Sequence, residues 1–132
     1  MKKTLFSLIT LFSVLACFSC ASVKEIPEDR TTAQIIQLGQ NSVSNGDYKS
    51  AIFCYQTVID RFGSDPAIYV EAKYELGHVY SKQKKYTQAY NIYTEILEMY
   101  DVNPYLPAAY KKLCQIGINN IPENKLKELQ NN

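Results

Sequence analysis

The sequence contains a single histidine, His78, which is the first place to look for catalytic or metal chemistry. An imidazole can move a proton near neutral pH or ligate a metal, but both roles need partner side chains. Glu71 and Glu75 lie nearby, yet they stand alone, and no cysteine or second histidine completes a metal site or a catalytic pair. We therefore expect His78 to be a polar surface residue, and we expect no cofactor, no metal and no enzymatic activity.

Cysteine chemistry is the second candidate, and two of the four cysteines fall in the body of the chain. They are Cys54 and Cys114, and a disulfide between them would need Cα atoms within about 7 Å.

The N-terminus has the pattern of a targeting signal. Two lysines, Lys2 and Lys3, precede an uncharged and mostly apolar run from Leu5 to Ala16. This run is too short to span a bilayer, which takes about 20 residues. Its length and basic flank are typical of a signal peptide.

The segment from Val14 to Ser22 resembles the lipobox of bacterial lipoproteins, in which a small residue precedes a cysteine that is lipidated and becomes the new N-terminus. Either Cys17, after Val14-Leu15-Ala16, or Cys20, before Ala21-Ser22, fits this role. The resemblance implies a signal peptide over 1–20 with cleavage before one of these cysteines, and a polar, flexible tether over 21–31. It also implies membrane attachment through the lipid, with the periplasmic face of the outer membrane as the favoured location and retention at the inner membrane as the alternative.

The rest of the chain repeats itself at an offset of 38 residues. The recurrence runs through apolar, small and turn positions. The recurring pairs are Leu38-Gly39 with Leu76-Gly77, Tyr48 with Tyr86, Ala51 with Ala89, Tyr55 with Tyr93, Val58-Ile59 with Ile96-Leu97, Phe62 with Tyr100, and Asp65-Pro66 with Asn103-Pro104. Apolar residues within each unit follow the three- and four-residue spacing of a helical face. Gly46 can end one helix in a left-handed conformation and Asp47 can cap the next. We expect Asp65-Pro66 and Asn103-Pro104 to begin further helices in the same way, each as an N-cap followed by proline.

These units resemble the tetratricopeptide repeat (TPR), and the long period is similar in style to that of outer-membrane assembly lipoproteins. The second unit departs from the motif where Lys84-Lys85 replace the Gly-Asp turn. A partial third unit runs from Ala109 to Ile118, with Leu113 and Cys114 at the Leu-Gly positions. The resemblance implies an all-α, helical-hairpin solenoid of about two and a half repeats over 32–120, followed by a tail over 121–132. The expected helices are 32–45, 48–62, 66–83, 86–100 and 105–119. In a TPR stack the second and fifth helices are not neighbours, so the resemblance implies that Cys54 and Cys114 are two separate, largely buried thiols.

TPR proteins bind partners in the groove that their first helices line, so the resemblance also implies a site. Its expected lining, carried over position by position, is Ile36, Gln40, Val43, Glu71, Tyr74, His78, Lys82, Lys111 and Gln115. This mixture suits an extended or helical peptide. The function expected is a lipid-anchored scaffold for a protein or peptide partner in the bacterial envelope. The alternative is a structural subunit that stacks through its open C-terminal repeat edge.

The composition excludes other classes of partner. The chain carries 14 basic and 13 acidic residues, so it lacks the basic excess of a nucleic-acid binder. No phosphate-binding loop, nucleophile motif or carboxylate pair indicates a small-molecule substrate.

Overall fold

The computed structural model describes residues 22–131, which form six helices and no strand. The helices are α1 (Thr32–Ser44), α2 (Tyr48–Phe62), α3 (Pro66–Lys82), α4 (Tyr86–Val102), α5 (Ala108–Asn119) and α6 (Glu123–Gln130). From α1 to α5, each helix packs against the next, and α3 also contacts α1 and α5, whereas α6 packs against α4. This is the all-α helical-hairpin solenoid predicted from the repeat. None of the described helices is long and apolar enough to cross a membrane.

Capping residues explain why most helices begin and end as predicted. Asp47 accepts a hydrogen bond from the backbone N–H of Ser50 at 3.1 Å and begins α2. Asp65 accepts from Ala67 and Ile68 and begins α3, with Pro66 at its first position. Gly46 takes a φ of 74°, the left-handed conformation expected at the α1–α2 turn.

The predicted start of the fifth helix was wrong. Asn103 ends α4 instead of beginning α5, and its side chain accepts from the backbone N–H of Tyr105. α5 begins only after Pro107, because a proline disfavours helical geometry in the residue before it. The intervening Leu106 is buried in the core, so the longer connection adds an apolar side chain to the core.

Residues 22–31 differ from the flexible tether expected from their composition. Ile26 is 4% exposed and belongs to the core. The Arg61 guanidinium donates to the backbone carbonyls of Ile26 at 2.7 Å and Pro27 at 2.9 Å. Val23 donates its backbone N–H to Ser50 Oγ at 2.7 Å. The segment therefore packs on α2. The Ile26 side chain joins the core, and one backbone N–H and two backbone carbonyls of the segment hydrogen-bond to side chains of α2.

Two buried clusters form the core, one around Tyr55 and the other around Tyr93. Tyr80 and Ile92 contact both clusters and make them continuous. A Cβ placed on Gly39 would lie 2.6 Å from a ring carbon of Tyr55, and one on Gly77 would lie 2.8 Å from a ring carbon of Tyr93. Glycine at these positions therefore lets each tyrosine ring lie against the neighbouring helix.

The two interior cysteines are free and fully buried. Cys54 lies in the first cluster and Cys114 in the second. Burial, with a smaller contribution from the charge of Asp47, raises the pKa of the Cys54 thiol to about 11. Burial raises that of Cys114 to about 12. Both thiols stay protonated at neutral pH. Because the two cysteines are free, buried and in different clusters, the prediction of separate buried thiols is confirmed.

The α3–α4 turn offers a stabilising substitution. Lys84 takes a φ of 60°, and Lys85 begins α4 without a side-chain cap. Replacing the pair with the Gly-Asp of the first turn is expected to stabilise the fold by about 1–2 kcal/mol, because glycine avoids the left-handed penalty and aspartate supplies a cap. Urea unfolding of Lys84→Gly/Lys85→Asp measures this gain. Lys84→Ala is the control, since alanine retains the left-handed penalty and is expected to give no comparable gain.

Candidate functional site

The candidate site is the surface where α1 and α3 face each other, and a central cleft of about 430 Å³ lies there. Its lining comes from three helices and consists of Gln40, Val43, Ser44, Tyr48, Tyr55, Glu75, His78 and Lys82. Four of the predicted groove residues therefore share one cleft: Gln40, Val43, His78 and Lys82. The helical repeat of α3 aligns positions 75, 78 and 82 on one face.

A second depression adjoins the central cleft and shares Gln40 with it. The adjoining cleft is lined by Thr32, Ala33, Ile36, Gln37, Gln40, Ile68 and Glu71. Two more predicted residues, Ile36 and Glu71, lie here. Ile36 is only 6% exposed and is mainly a core residue, so it contributes little area to a partner.

Tyr74 lies inside an aromatic cluster on the same side of the molecule. Its ring centroid is 5.6 Å from that of Tyr110, 6.1 Å from that of Tyr93 and 6.2 Å from that of His78. Offset and tilted ring contacts of this kind stabilise packing. Tyr74 therefore positions α3 against α4 and α5, and it lines neither cleft, although it was predicted as a groove residue.

The predicted residues on α5 lie apart from both clefts. Lys111 is exposed, with its ammonium 5.6 Å from the centre of the Tyr100 ring on α4. Gln115 is exposed and lines neither cleft. The structure thus brings six of the predicted residues on α1 and α3 to two adjoining clefts and leaves Tyr74 and the α5 residues outside them.

Glu75 is the central residue that the sequence prediction passed over. Its Oε1 accepts a hydrogen bond from Gln40 Nε2 at 2.9 Å, which links α3 to α1 across the cleft. Its spacing from Glu71 and His78 is helical, so the periodicity already placed it on the groove face.

His78 has an unusual electrostatic environment. Burial lowers its pKa below the ordinary value of 6.5, and Lys82 lowers it further while Glu75 opposes the shift. The imidazole is therefore largely neutral at pH 7. It contributes a ring edge and a hydrogen-bonding nitrogen to the cleft rather than a positive charge.

The His78 shift predicts a pH dependence of stability. The unfolded chain binds this proton more tightly than the folded chain, so stability rises with pH between the folded pKa and about 6.5. As the pH falls from about 6.5 to the folded pKa, the stability that neutral His78 contributes to the folded state is lost. An NMR titration of the imidazole should give a pKa below 6.5, and urea unfolding of His78→Gln should show a weaker dependence on pH there. A titration midpoint above 6.5 would contradict the prediction.

The described residues contain no group of three or more histidine, cysteine, aspartate or glutamate side chains placed to hold a metal ion. Cys17 and Cys20, the two lipidation candidates, lie outside the described residues.

Comparison with known proteins supports the pairing of α3 with α4. An uncharacterized protein of Treponema pallidum (strain Nichols) is 34% identical over 122 residues, which is 91% of this chain. The chain spans about half of that relative's length, 49%. No solved structure gave a significant match. Residues 70–103, which cover most of α3 and all of α4, match the tetratricopeptide repeat model. The helical-hairpin solenoid therefore contains a tetratricopeptide repeat, the motif of protein-interaction scaffolds.

Proposed function

We propose that this chain is a lipid-anchored scaffold that binds a protein partner in the bacterial cell envelope through the α1–α3 surface. The observation that carries the proposal is the central cleft, which gathers polar and apolar side chains from the predicted groove. The TPR match supports a role in protein–protein binding. The signal-like N-terminus and its lipobox resemblance support the lipid and the envelope location.

Crosslinking tests the partner-binding role. The full chain is expressed in a bacterial host envelope, crosslinked and purified, and the recovered proteins are compared among variants. His78→Ala and Lys82→Ala are expected to reduce recovery of the partner, because both side chains line the cleft. Tyr74→Ala is a poor probe, since it removes three ring contacts and weakens the fold.

Gln56→Ala supplies the matched control. Gln56 is exposed on α2, where its amide contacts only Asp60 of the same helix among the contacts seen. The proteins recovered with Gln56→Ala should be the same as those recovered with the unmodified chain. If His78→Ala and Lys82→Ala also leave the profile unchanged, the groove is not the binding surface.

Fatty-acid labelling tests whether the chain is lipidated. Labelled palmitate should enter the unmodified chain and should be lost on Cys17→Ala or on Cys20→Ala, which identifies the modified residue. Retention of the label in the double variant would exclude both cysteines.

The alternative function, stacking through the C-terminal edge, has an observation of its own. Val102 is 88% exposed and Tyr105 is 95% exposed, and both lie at the connection between α4 and α5. Exposed apolar side chains close in sequence favour contact with another protein surface. Loss of a crosslinked complex on Val102→Ser/Tyr105→Ser, with no effect of the cleft variants, would favour this alternative.

A further inference from the structure

The segment before α1 is held at the N-terminal end of α2. The backbone N–H of Val23 donates to Ser50 Oγ at 2.7 Å, and Ser50 Oγ in turn donates to Asp47 Oδ2 at 2.6 Å. Near the C-terminal end of α2, Arg61 donates to two backbone carbonyls of the same segment. Residues 22–27 therefore run beside α2, and the fixed point closest to the N-terminus of the chain is the start of that helix.

The link from this fixed point to a lipidated cysteine is short. Cys20 is three positions before Val23, and Cys17 is six positions before it. A fully extended chain spans at most about 3.5 Å per residue, so the link reaches about 10 Å from Cys20 or about 20 Å from Cys17. The 15 residues of α2 are themselves about 22 Å long. Either link therefore holds the N-terminal end of α2 near the membrane that the lipid enters.

The surface at this end of α2 is basic and partly apolar. A depression of about 470 Å³ lies there, and its lining consists of Ser22, Val23, Lys24, Lys49, Ser50 and Phe53. Lys24 and Lys49 are exposed. Phe53 is 40% exposed and is among the exposed large apolar side chains of the described residues. The start of α2 thus presents two ammonium groups around one aromatic ring.

The acidic side chains of this region do not cancel that charge. Asp47 is the carboxylate closest to the two lysines in sequence, and it accepts from both the backbone N–H and the hydroxyl of Ser50. Glu25 lines a separate depression between the segment and α1. Asp60 lies near the other end of α2, as does Glu28, which pairs with the arginine there. The N-terminal end of α2 therefore has a net positive charge.

This surface matches the headgroup region of a bilayer. A lysine can lay its aliphatic stem along apolar surface while its ammonium meets lipid phosphates, and an aromatic ring inserts at the boundary between headgroups and acyl chains. Attraction between lysine and an anionic surface falls off within about 8 Å at physiological salt, so it depends on the short link. The link also raises the effective concentration of the membrane, so a surface that binds weakly by itself still makes contact.

The same placement leaves the α1–α3 surface open. Lys49, Phe53 and Gln56 lie on one exposed face of α2. Tyr48 and Tyr55, by contrast, are the α2 residues that line the central cleft. The helical period separates the two sets by roughly 100° around the helix axis. The membrane contact and the groove are therefore different faces of the domain.

We infer that the N-terminal end of α2, through Lys24, Lys49 and Phe53, lies on the lipid headgroups of the membrane that carries the anchor. The inference rests on the proposed lipid anchor, to which it adds a fixed orientation of the scaffold. The central cleft then opens to the side of the membrane contact, where a partner protein can reach it.

Fluorescence quenching measures which face lies close to the lipid. The lipidated full chain, as matured by a bacterial host, is reconstituted in vesicles of phosphatidylethanolamine and phosphatidylglycerol, with a nitroxide on a fraction of the headgroups. A bimane reporter is attached at Gln56→Cys on α2 or, as the matched control, at Gln115→Cys on α5, at the other end of the solenoid. Both glutamines are exposed.

The other cysteines do not interfere with the reporter. Cys54 and Cys114 are fully buried, so they do not react with bimane. If the palmitate experiment assigns the lipid to Cys17, Cys20→Ser is added so that position 20 takes no reporter.

The reporter at position 56 is expected to be quenched at least about twofold more strongly than the reporter at position 115. Lys49→Glu should reduce quenching at position 56 by at least about half, because it places an anion beside lipid phosphates. Lys112→Glu, the same change at an exposed position on α5, should leave it unaltered. Phe53→Ser should also reduce it, and the melting temperature shows whether that variant stays folded.

Equal quenching of the two reporters would overturn the inference, and so would a Lys49→Glu variant that is quenched at position 56 as strongly as Lys112→Glu. Provided that the chain carries labelled palmitate and stays with the vesicles, these outcomes leave the lipid anchor intact. A chain that takes up no palmitate and separates from the vesicles would instead reject the proposed anchor, and the inference with it.

Discussion

Replacing Tyr93 with alanine is expected to lower the free energy of unfolding by about 3–5 kcal/mol, the range for removing a large aromatic side chain from a core. Tyr93 is 1% exposed and is among the largest fully buried side chains of the described residues. Its ring contacts α3 through Gly77 and α5 through Gly117. A small domain is stable by only about 5–15 kcal/mol, so this loss is a large fraction of the total.

Urea unfolding followed by circular dichroism measures the effect of Tyr93→Ala. The control is Tyr105→Ala, the same substitution at a side chain that is 95% exposed. Its cost should lie within about 0.5 kcal/mol of zero. Similar costs for the two variants would show that Tyr93 does not join α4 to α3 and α5.

Replacing Gly117 with alanine is expected to destabilise the fold by about 1–3 kcal/mol, the usual cost of overpacking a core. The added Cβ would lie 2.5 Å from Tyr93 Cε2 and 2.7 Å from Cζ. The sign is informative, because glycine-to-alanine inside a helix normally stabilises by about 1 kcal/mol. Tyr93 cannot move away easily, since Gly77 lies against another edge of its ring.

A double-mutant cycle isolates this contact. In a Tyr93→Leu background the ring is absent, so Gly117→Ala should cost much less or become stabilising. A coupling free energy of at least about 1 kcal/mol between the two positions is expected. An unchanged cost in both backgrounds would place the strain elsewhere, for example in the backbone of α5.

Much of the fold could be predicted from the sequence because local signals agreed with each other. Asp47 and Asp65 cap helices with their own side chains, and Gly46 supplies the left-handed turn, so neighbouring residues determine these boundaries. The 38-residue offset extended the same pattern to α4. Where the local signals competed, as between Asn103-Pro104 and Pro107, the prediction of the α5 start was wrong.

The candidate site was predicted only in part, because it depends on contacts between helices. The position-by-position resemblance to the repeat placed Gln40, His78 and Lys82 in the expected groove, and they do share a cleft. The resemblance could not show that Lys111 would lie over the Tyr100 ring, since that depends on how α5 rotates against α4. Nor could it show that Glu75 would accept a hydrogen bond from Gln40 across the cleft, since that depends on the distance between α1 and α3.

The sequence by itself therefore determined the first four helices and their repeat, since caps, turns and apolar spacing encode them within a few turns of chain. Only the tertiary structure decided which side chains meet. It docked Ile26 on α2 because Arg61 satisfies the backbone carbonyls that accompany it. It also set Glu75 beside Tyr55, from helices that are separate in sequence. Such contacts depend on the distance and rotation between packed helices, which residue spacing along one helix does not specify.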